Sequence, residues 1–163
     1  MPTTQQSMET CRLSGWHVQG GESRIVWSLR PLLTVPPNYQ DLNRGIDLFN
    51  CARFFDAHEE LEDVWRSLPF DGPSRRHVQG MVQLAVAFHH ESAGNLKGAR
   101  SVLTRALHNL DGADISFPEL DLVRLRAELA HWLLYLNAFV TASDGPDVRC
   151  TVAPDLPKIS QRR

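Results

Sequence analysis

The sequence predicts an all-α protein, a compact bundle of about five helices between residues 40 and 141. Two observations support this: apolar residues recur at intervals of three and four, and helix-ending residues interrupt that pattern. The chain has 163 residues, 42% of them hydrophobic, so one core can form without disulfides or metal. We expect residues 1–39 to be an irregular N-terminal extension and residues 142–163 a loose C-terminal tail.

The first two helices follow from a group of aromatic and aliphatic residues. We expect one helix over about residues 40–51, a break near Ala52 and a second helix that ends near Ser67. The nearby Pro69 cannot continue that helix. The apolar positions that carry this pattern are Ile46, Phe49, Phe54 and Phe55.

Two adjacent residues, Gly94 and Asn95, mark the end of the third helix and the start of the fourth. The third is expected over about residues 74–93, with Gly94 in the left-handed position that follows many helices. Asn95 can then cap the fourth helix. The fourth helix has a one-sided apolar stripe of Leu96, Ala99, Leu103, Ala106, Leu107 and Leu110.

The last helix is expected to start just after Ser116. Ser116 and Glu119 have the S-x-x-E spacing of a capping box, and apolar residues then recur as far as Leu136. Beyond Thr141 no period is visible and apolar residues are few, which is why we expect a loose tail there.

Composition excludes several classes of protein. The net charge of −2 argues against nonspecific nucleic-acid binding, and no apolar run reaches the roughly 18 residues that span a bilayer. The first ten residues lack the features of a secretory signal, and the three cysteines show no disulfide or zinc spacing. We therefore expect a cytoplasmic protein that binds neither membrane nor nucleic acid.

Polar side chains interrupt the apolar face of the second helix. On a helical wheel His58 and Glu62 lie within about 40° of each other, on the face that carries Phe54 and Leu61. An unpaired polar group in a core costs about 1–3 kcal/mol, so both side chains are expected to have partners.

The third helix carries a matching polar group. Gln79, Gln83 and His90 lie within about 40° of one another, and the small residues Gly80 and Ala87 beside them would let a neighbouring helix come close. These three side chains are the expected partners of the pair on the second helix.

Two hypotheses explain this predicted site. In the first, His58, Glu62 and His90 bind a divalent metal such as Zn²⁺ or Mn²⁺, Gln83 or water completes the coordination, and Glu59 or Glu62 acts as a catalytic base. In the second, the same side chains form a hydrogen-bonded network that fixes the helix register. The run from His58 to Glu62 is similar to the H-E-x-x-H zinc motif, with glutamate in place of the second histidine.

A resemblance to a known family covers roughly residues 41 to 110. The segments that carry it are Gly45–Asn50, Phe54–Glu59, Leu61-Glu62, Trp65-Arg66, Gln79-Gly80, Gln83–Ala85, His90, Gly94-Asn95 and Gly98-Ala99. Together they resemble the bacterial and archaeal family called domain of unknown function 309. The resemblance implies a small all-helical cytosolic protein, and some members carry a label of metal-dependent hydrolase.

The family motif also has consequences for individual residues. It implies that Gln79 and Gln83 help to bind a cofactor beside His58, Glu62 and His90. The sequence departs from the family at Cys51-Ala52, where a small or basic residue and glycine are frequent, and at Asp56, where glutamate is usual.

Two functions therefore remain open from the sequence. One is a metal-dependent, hydrolase-like protein that acts on an unknown small molecule. The other is a noncatalytic interaction or scaffold protein, with an unknown protein partner or a second copy of itself, in which the polar site is structural.

Overall fold

The structure, a computed structural model, describes residues 39–141 and 152–162. Within these ranges it contains six helices, which confirms the all-α prediction, and none of them is long and apolar enough to cross a membrane. The predicted N-terminal extension lies outside the described residues except at its last residue. The helices are α1 Tyr39–Asn50, α2 Phe54–Ser67, α3 Pro73–Ser92, α4 Leu96–Asn109, α5 Ala113–Ser116 and α6 Leu122–Thr141.

Helix α3 is the centre of the bundle and packs against α2, α4 and α5. Its residue Phe88 is 2% exposed and contacts aromatic rings from three other helices. The ring centroid of Phe88 lies 5.8 Å from that of Phe49 in α1, 5.6 Å from Phe54 in α2 and 5.0 Å from Trp132 in α6. This aromatic cluster joins four helices in one core.

The expected close approach at Gly80 is present in the structure. A Cβ atom at this position of α3 would lie 2.8 Å from Cγ of Leu110, which is fully buried. Because Leu110 cannot move without leaving the core, any larger residue at position 80 would push apart the helices that meet there.

The predicted signal between α3 and α4 is confirmed. Gly94 has φ of +75°, in the left-handed region that residues with a Cβ seldom adopt. The side-chain oxygen of Asn95 accepts a hydrogen bond of 2.9 Å from the backbone N–H of Gly98, as an N-cap residue does. These two residues reverse the chain direction between the helices.

The break between α1 and α2 places an alanine in an unfavourable conformation. Ala52 has φ of +58°, and it is the one residue other than glycine with a positive φ in the described ranges. The left-handed conformation costs a residue with a Cβ about 1–2 kcal/mol. This position is where the resemblance leads us to expect glycine.

The expected start of the last helix is wrong. Ser116 does not cap that helix but ends α5, and α6 begins six positions later at Leu122. The chain between them turns inward because Phe117 and Leu120 are both buried in the core. Asp121 immediately precedes α6, and its carboxylate accepts a hydrogen bond of 3.2 Å from the backbone N–H of Arg124.

The prediction of a loose tail is also wrong for residues 152–162, which we call the C-terminal strap. Ile159 is 3% exposed and belongs to the core. Its backbone N–H donates to the side-chain oxygen of Asn50, and its carbonyl accepts from the side-chain nitrogen of Asn50, both at 2.9 Å. The Trp132 indole N–H donates to the carbonyl of Asp155 at 2.9 Å.

The end of the strap pairs with the turn before α6. Leu120 and Gln161 form an antiparallel bridge, and the backbone N–H of Asp121 donates to the carbonyl of Ser160 at 2.8 Å. The remaining tail residues, 142–151 and 163, lie outside the described ranges.

We expect Ala52→Gly to stabilise the protein by about 0.5–1 kcal/mol. Glycine removes the left-handed penalty of about 1–2 kcal/mol but adds freedom to the unfolded chain that offsets part of the gain. Ala127→Gly, at an exposed position inside α6, should instead destabilise by about 1 kcal/mol. Urea unfolding of both variants measures the two values, and a loss of stability in Ala52→Gly would contradict the prediction.

We expect Ile159→Ala to destabilise the protein by about 2–4 kcal/mol, because it removes a buried side chain from the core and leaves a cavity. Val152→Ala in the same strap should change the free energy of unfolding by less than about 0.5 kcal/mol, since Val152 is 90% exposed. Equal, small effects in the two variants would mean that the strap does not pack on the bundle.

Candidate functional site

Three ligand-bearing side chains converge on the flank of α2. One ring nitrogen of His58, Nδ1, lies 3.1 Å from Oε1 of Glu59, and the other, Nε2, lies 3.3 Å from Oε2 of Glu62. Among the described residues these three form the one group of histidine, cysteine or carboxylate side chains whose ligand atoms all lie within 4.8 Å of one another. We call it the α2 cluster.

The helix itself positions this cluster. Residues four apart on an α-helix lie on the same face, so His58 and Glu62 come together without help from another element. Each of their side chains is 26% exposed, so the predicted burial of this pair is wrong and the cluster lies at the edge of the core. The neighbouring Ala57 and Leu61 take the fully buried positions.

The cluster is partly neutralised on one side. Oε1 of Glu62 accepts a hydrogen bond of 2.8 Å from Arg66, which also contacts Asp63 at 3.2 Å. Arg66 thus balances the charge of Glu62, while Glu59 is 60% exposed and contacts His58. The other oxygen of Glu62, Oε2, is the one that contacts His58.

The structure does not bring the predicted side chains of α3 to this cluster. The side-chain oxygen of Gln83 accepts from Asn109 of α4 at 2.9 Å, and Nδ1 of His90 lies 3.4 Å from the side-chain nitrogen of Asn95. Gln79 is half-buried one turn before Gln83. The predicted metal triad with His90 is therefore not assembled, because the side of α3 that carries His90 faces the start of α4.

The imidazole of α3 that does approach α2 is His89, which the sequence reasoning did not select. Its ring centroid lies 5.9 Å from that of Phe55, and the Phe55 ring in turn lies 6.4 Å from the ring of His58. Phe55 is 58% exposed, so these three rings form a continuous surface across α2 and α3. In the sequence, the one indication of this contact is the aromatic residue Phe55, which lies one helical turn before His58.

A second histidine was also missed. His77 of α3 is 3% exposed and is the one polar residue classed as buried in the described ranges. Its Nδ1 lies 2.8 Å from the hydroxyl oxygen of Ser116 in α5, 39 positions along the chain. Nothing local in the sequence indicates this contact, because its two residues lie on different helices and far apart along the chain.

The surroundings of His77 favour its neutral form. Burial lowers its pKa below the ordinary value of 6.5, and the positive charge of Arg76 acts in the same direction. The backbone carbonyl of Asp111 and the carboxylates of Asp114 and Asp111 act in the opposite direction without overcoming these two effects.

Comparison with known proteins shows that part of the chain resembles a described family. Residues 42–102 match the family model described as Domain of unknown function (DUF309). This segment is similar to the DUF309 family. It runs from the start of α1 into α4 and contains every side chain of the α2 cluster, whereas α5, α6 and the strap lie beyond the DUF309 match.

Two relatives also match part of the chain, and both are uncharacterized proteins. The chain is 27% identical to an uncharacterized protein of Aquifex aeolicus over 101 residues. This alignment covers 62% of this chain and 30% of that protein. The chain is 31% identical to the uncharacterized protein YpuF of Bacillus subtilis over 75 residues. This alignment covers 45% of this chain and 42% of YpuF. The match thus spans less than half of either relative, and no solved structure matches the chain significantly.

We expect the protein to lose stability as the pH falls below about 6.5. Unfolded histidine takes up a proton near that pH, whereas folded His77, whose pKa is lowered, does not. The unfolded state then binds more protons, so the free energy of unfolding falls with decreasing pH until the pH passes below the folded pKa of His77.

Urea unfolding between about pH 8 and pH 5 measures this dependence. His77→Gln should show a smaller loss across this range, and His131→Gln, at an exposed position of α6, should follow the wild type. If His77→Gln retained the full slope, another group would be responsible.

Proposed function

We propose that this protein binds a divalent cation at the α2 cluster and uses it in a hydrolytic reaction. The observation that carries the proposal is the convergence of one imidazole and two carboxylates within 4.8 Å on a single helix. Nitrogen and oxygen ligands of this kind suit Zn²⁺ and Mn²⁺. A bound ion would supply the Lewis acidity that hydrolytic metalloenzymes use.

The residues of the cluster suit different tasks in this proposal. His58 and Glu62 are the most restrained, since both are only 26% exposed and Glu62 is held by Arg66. They would fix the position of the ion. Glu59, which is 60% exposed, can turn outward, and this suits a third ligand that also accepts a proton from the reacting water.

The partial exposure of the cluster supports an open rather than a closed site. Structural zinc sites are completed by four protein ligands, whereas catalytic sites leave a position for water or substrate. Here α2 supplies three ligands, and its exposed flank leaves room for the rest of the coordination sphere.

A noncatalytic function has its own supporting observation. Both ring nitrogens of His58 already contact carboxylates, and the second oxygen of Glu62 contacts Arg66, so the four side chains can stabilise α2 as a chain of ion pairs. In that case the protein would act through its helical surface as an interaction or scaffold protein.

Metal titration of the full chain, first stripped with chelator, separates the two functions. We expect Zn²⁺ or Mn²⁺ to bind one site by calorimetry and to raise the melting temperature, because an ion that binds only the folded state stabilises it. His58→Ala and Glu62→Gln should weaken binding by at least about tenfold, since each removes a ligand.

Glu60→Gln is the matched control. Glu60 lies on the same helix, is 28% exposed and pairs with Arg44 at 3.0 Å, much as Glu62 pairs with Arg66, but it lies outside the cluster. It should bind metal like the wild type. Absence of binding in the wild type, or equal loss in Glu60→Gln, would rule out the cation site.

The hydrolytic part of the proposal has a separate readout. Metal-loaded protein should hydrolyse p-nitrophenyl esters or phosphoesters, and Glu62→Gln should lose this activity. Metal binding without any turnover would contradict the hydrolase and support the noncatalytic function.

A further inference from the structure

Helix α5 depends on its neighbours for its structure. It has only four residues, and its N-cap, Gly112, offers no side chain to the free backbone N–H groups. A single helical turn is not stable alone, because nucleation fixes several residues for one hydrogen bond. Ala113 and Phe117 are buried against the bundle, while Ile115 between them is 83% exposed.

The polar contact that fixes α5 to α3 runs through the buried ring of His77. Its Nδ1 lies 2.8 Å from Ser116 Oγ, and its Nε2 lies 3.3 Å from a guanidinium nitrogen of Arg76. The same nitrogen of Arg76 donates to the carbonyl of Asp111 at 2.7 Å. Arg76 is therefore held beside the ring by the turn that precedes α5.

Charged groups face His77 from each element around it. Arg76 comes from α3, Asp111 from the turn before α5, and Asp114 from α5 itself. Helix α6 contributes Arg126, which contacts Oδ1 of Asp111 at 2.7 Å. The carboxylate of Asp111 is thus already paired with a cation, and this pairing weakens its electrostatic attraction to a charged imidazole.

Protonation changes what the ring can do at both ends. A guanidinium can only donate hydrogen bonds, so the neutral ring of His77 accepts at Nε2 and donates from Nδ1 to Ser116. A proton taken up from solvent at Nε2 turns that acceptor into a donor facing Arg76. Two cations are then in contact at the edge of the core, where the ring of His77 is buried and Arg76 is exposed, and their repulsion disfavours the charged ring.

We propose that His77 and Ser116 form a pH-sensitive latch that holds α5 on α3 while the ring is neutral and releases residues 112–117 when the ring is protonated. The release separates the ring from Arg76 and lets water reach it. It also exposes Phe117 and Ala113, so acidification would uncover apolar surface at this end of the bundle. Segments that depend on few contacts are the ones that open locally in folded proteins.

The test combines two NMR measurements on the full chain between about pH 7.5 and pH 5. The Hε1 resonance of His77 should titrate below the ordinary histidine pKa of 6.5. Amide protection factors of residues 113–117 should fall by about tenfold or more as that resonance titrates. Protection of the α3 core around Met81 and Leu84 should stay constant across the same range.

Two variants connect the release to the latch. His77→Gln retains a hydrogen-bonding side chain without a titratable ring, so protection of residues 113–117 should no longer depend on pH beyond the intrinsic exchange rate. Ser116→Ala leaves His77 able to titrate but removes its partner, so protection should already be lower at about pH 7.5. His131→Gln should behave like the wild type.

Several outcomes would overturn the latch. One is protection that stays constant while His77 titrates, and another is a loss of protection that occurs equally in α3, which would indicate global unfolding. An unchanged pH dependence in His77→Gln would assign the effect to another group. If His77→Gln does not fold, the wild-type titration and Ser116→Ala decide the question.

Discussion

The enclosure of α3 is the constraint on which the rest of this fold depends, and Phe88 is its central contact. One phenyl ring packs against rings from α1, α2 and α6, so these helices share a single aromatic core. The positions of the other helices follow from the need to cover α3 on every side. The close contact of Gly80 with Leu110 shows how little space separates α3 from its surroundings at its other end.

This enclosure also decides where chemistry can take place. A polar group on a surrounded helix must find a partner inside, as His77 does with Ser116 and Gln83 does with Asn109. Helix α2, by contrast, has one flank at the surface, and there His58 and Glu62 combine helical order with partial exposure. The buried groups therefore serve packing and local opening, while the α2 cluster is accessible to an ion or ligand.

The first four helices and the pairing of His58 with Glu62 could be predicted because their signals are local in the sequence. Gly94 and Asn95 act within one turn, and the pairing of His58 with Glu62 needs only helical spacing. The errors arose where the decisive contact is distant. A helical wheel gives angles within one helix but not the rotation of that helix against the next, so it cannot show that His89, rather than His90, approaches α2. The strap cannot be predicted from periodicity, because the buried side chain of Ile159 and hydrogen bonds made by the strap's own backbone hold it, and neither leaves a repeating pattern in the sequence.

The strap has a consequence for the order in which this chain folds. Most helix contacts join neighbours along the chain, from α1 with α2 through α3 with α4, and local contacts of this kind form early because little chain entropy is lost. The bond between Asn50 and Ile159 joins residues 109 positions apart. The entropy cost of closing such a long loop is offset by contacts only after the helices that the strap packs on have formed. The strap would thus dock after the rate-limiting step, and weakening it would accelerate unfolding while leaving the folding rate nearly unchanged.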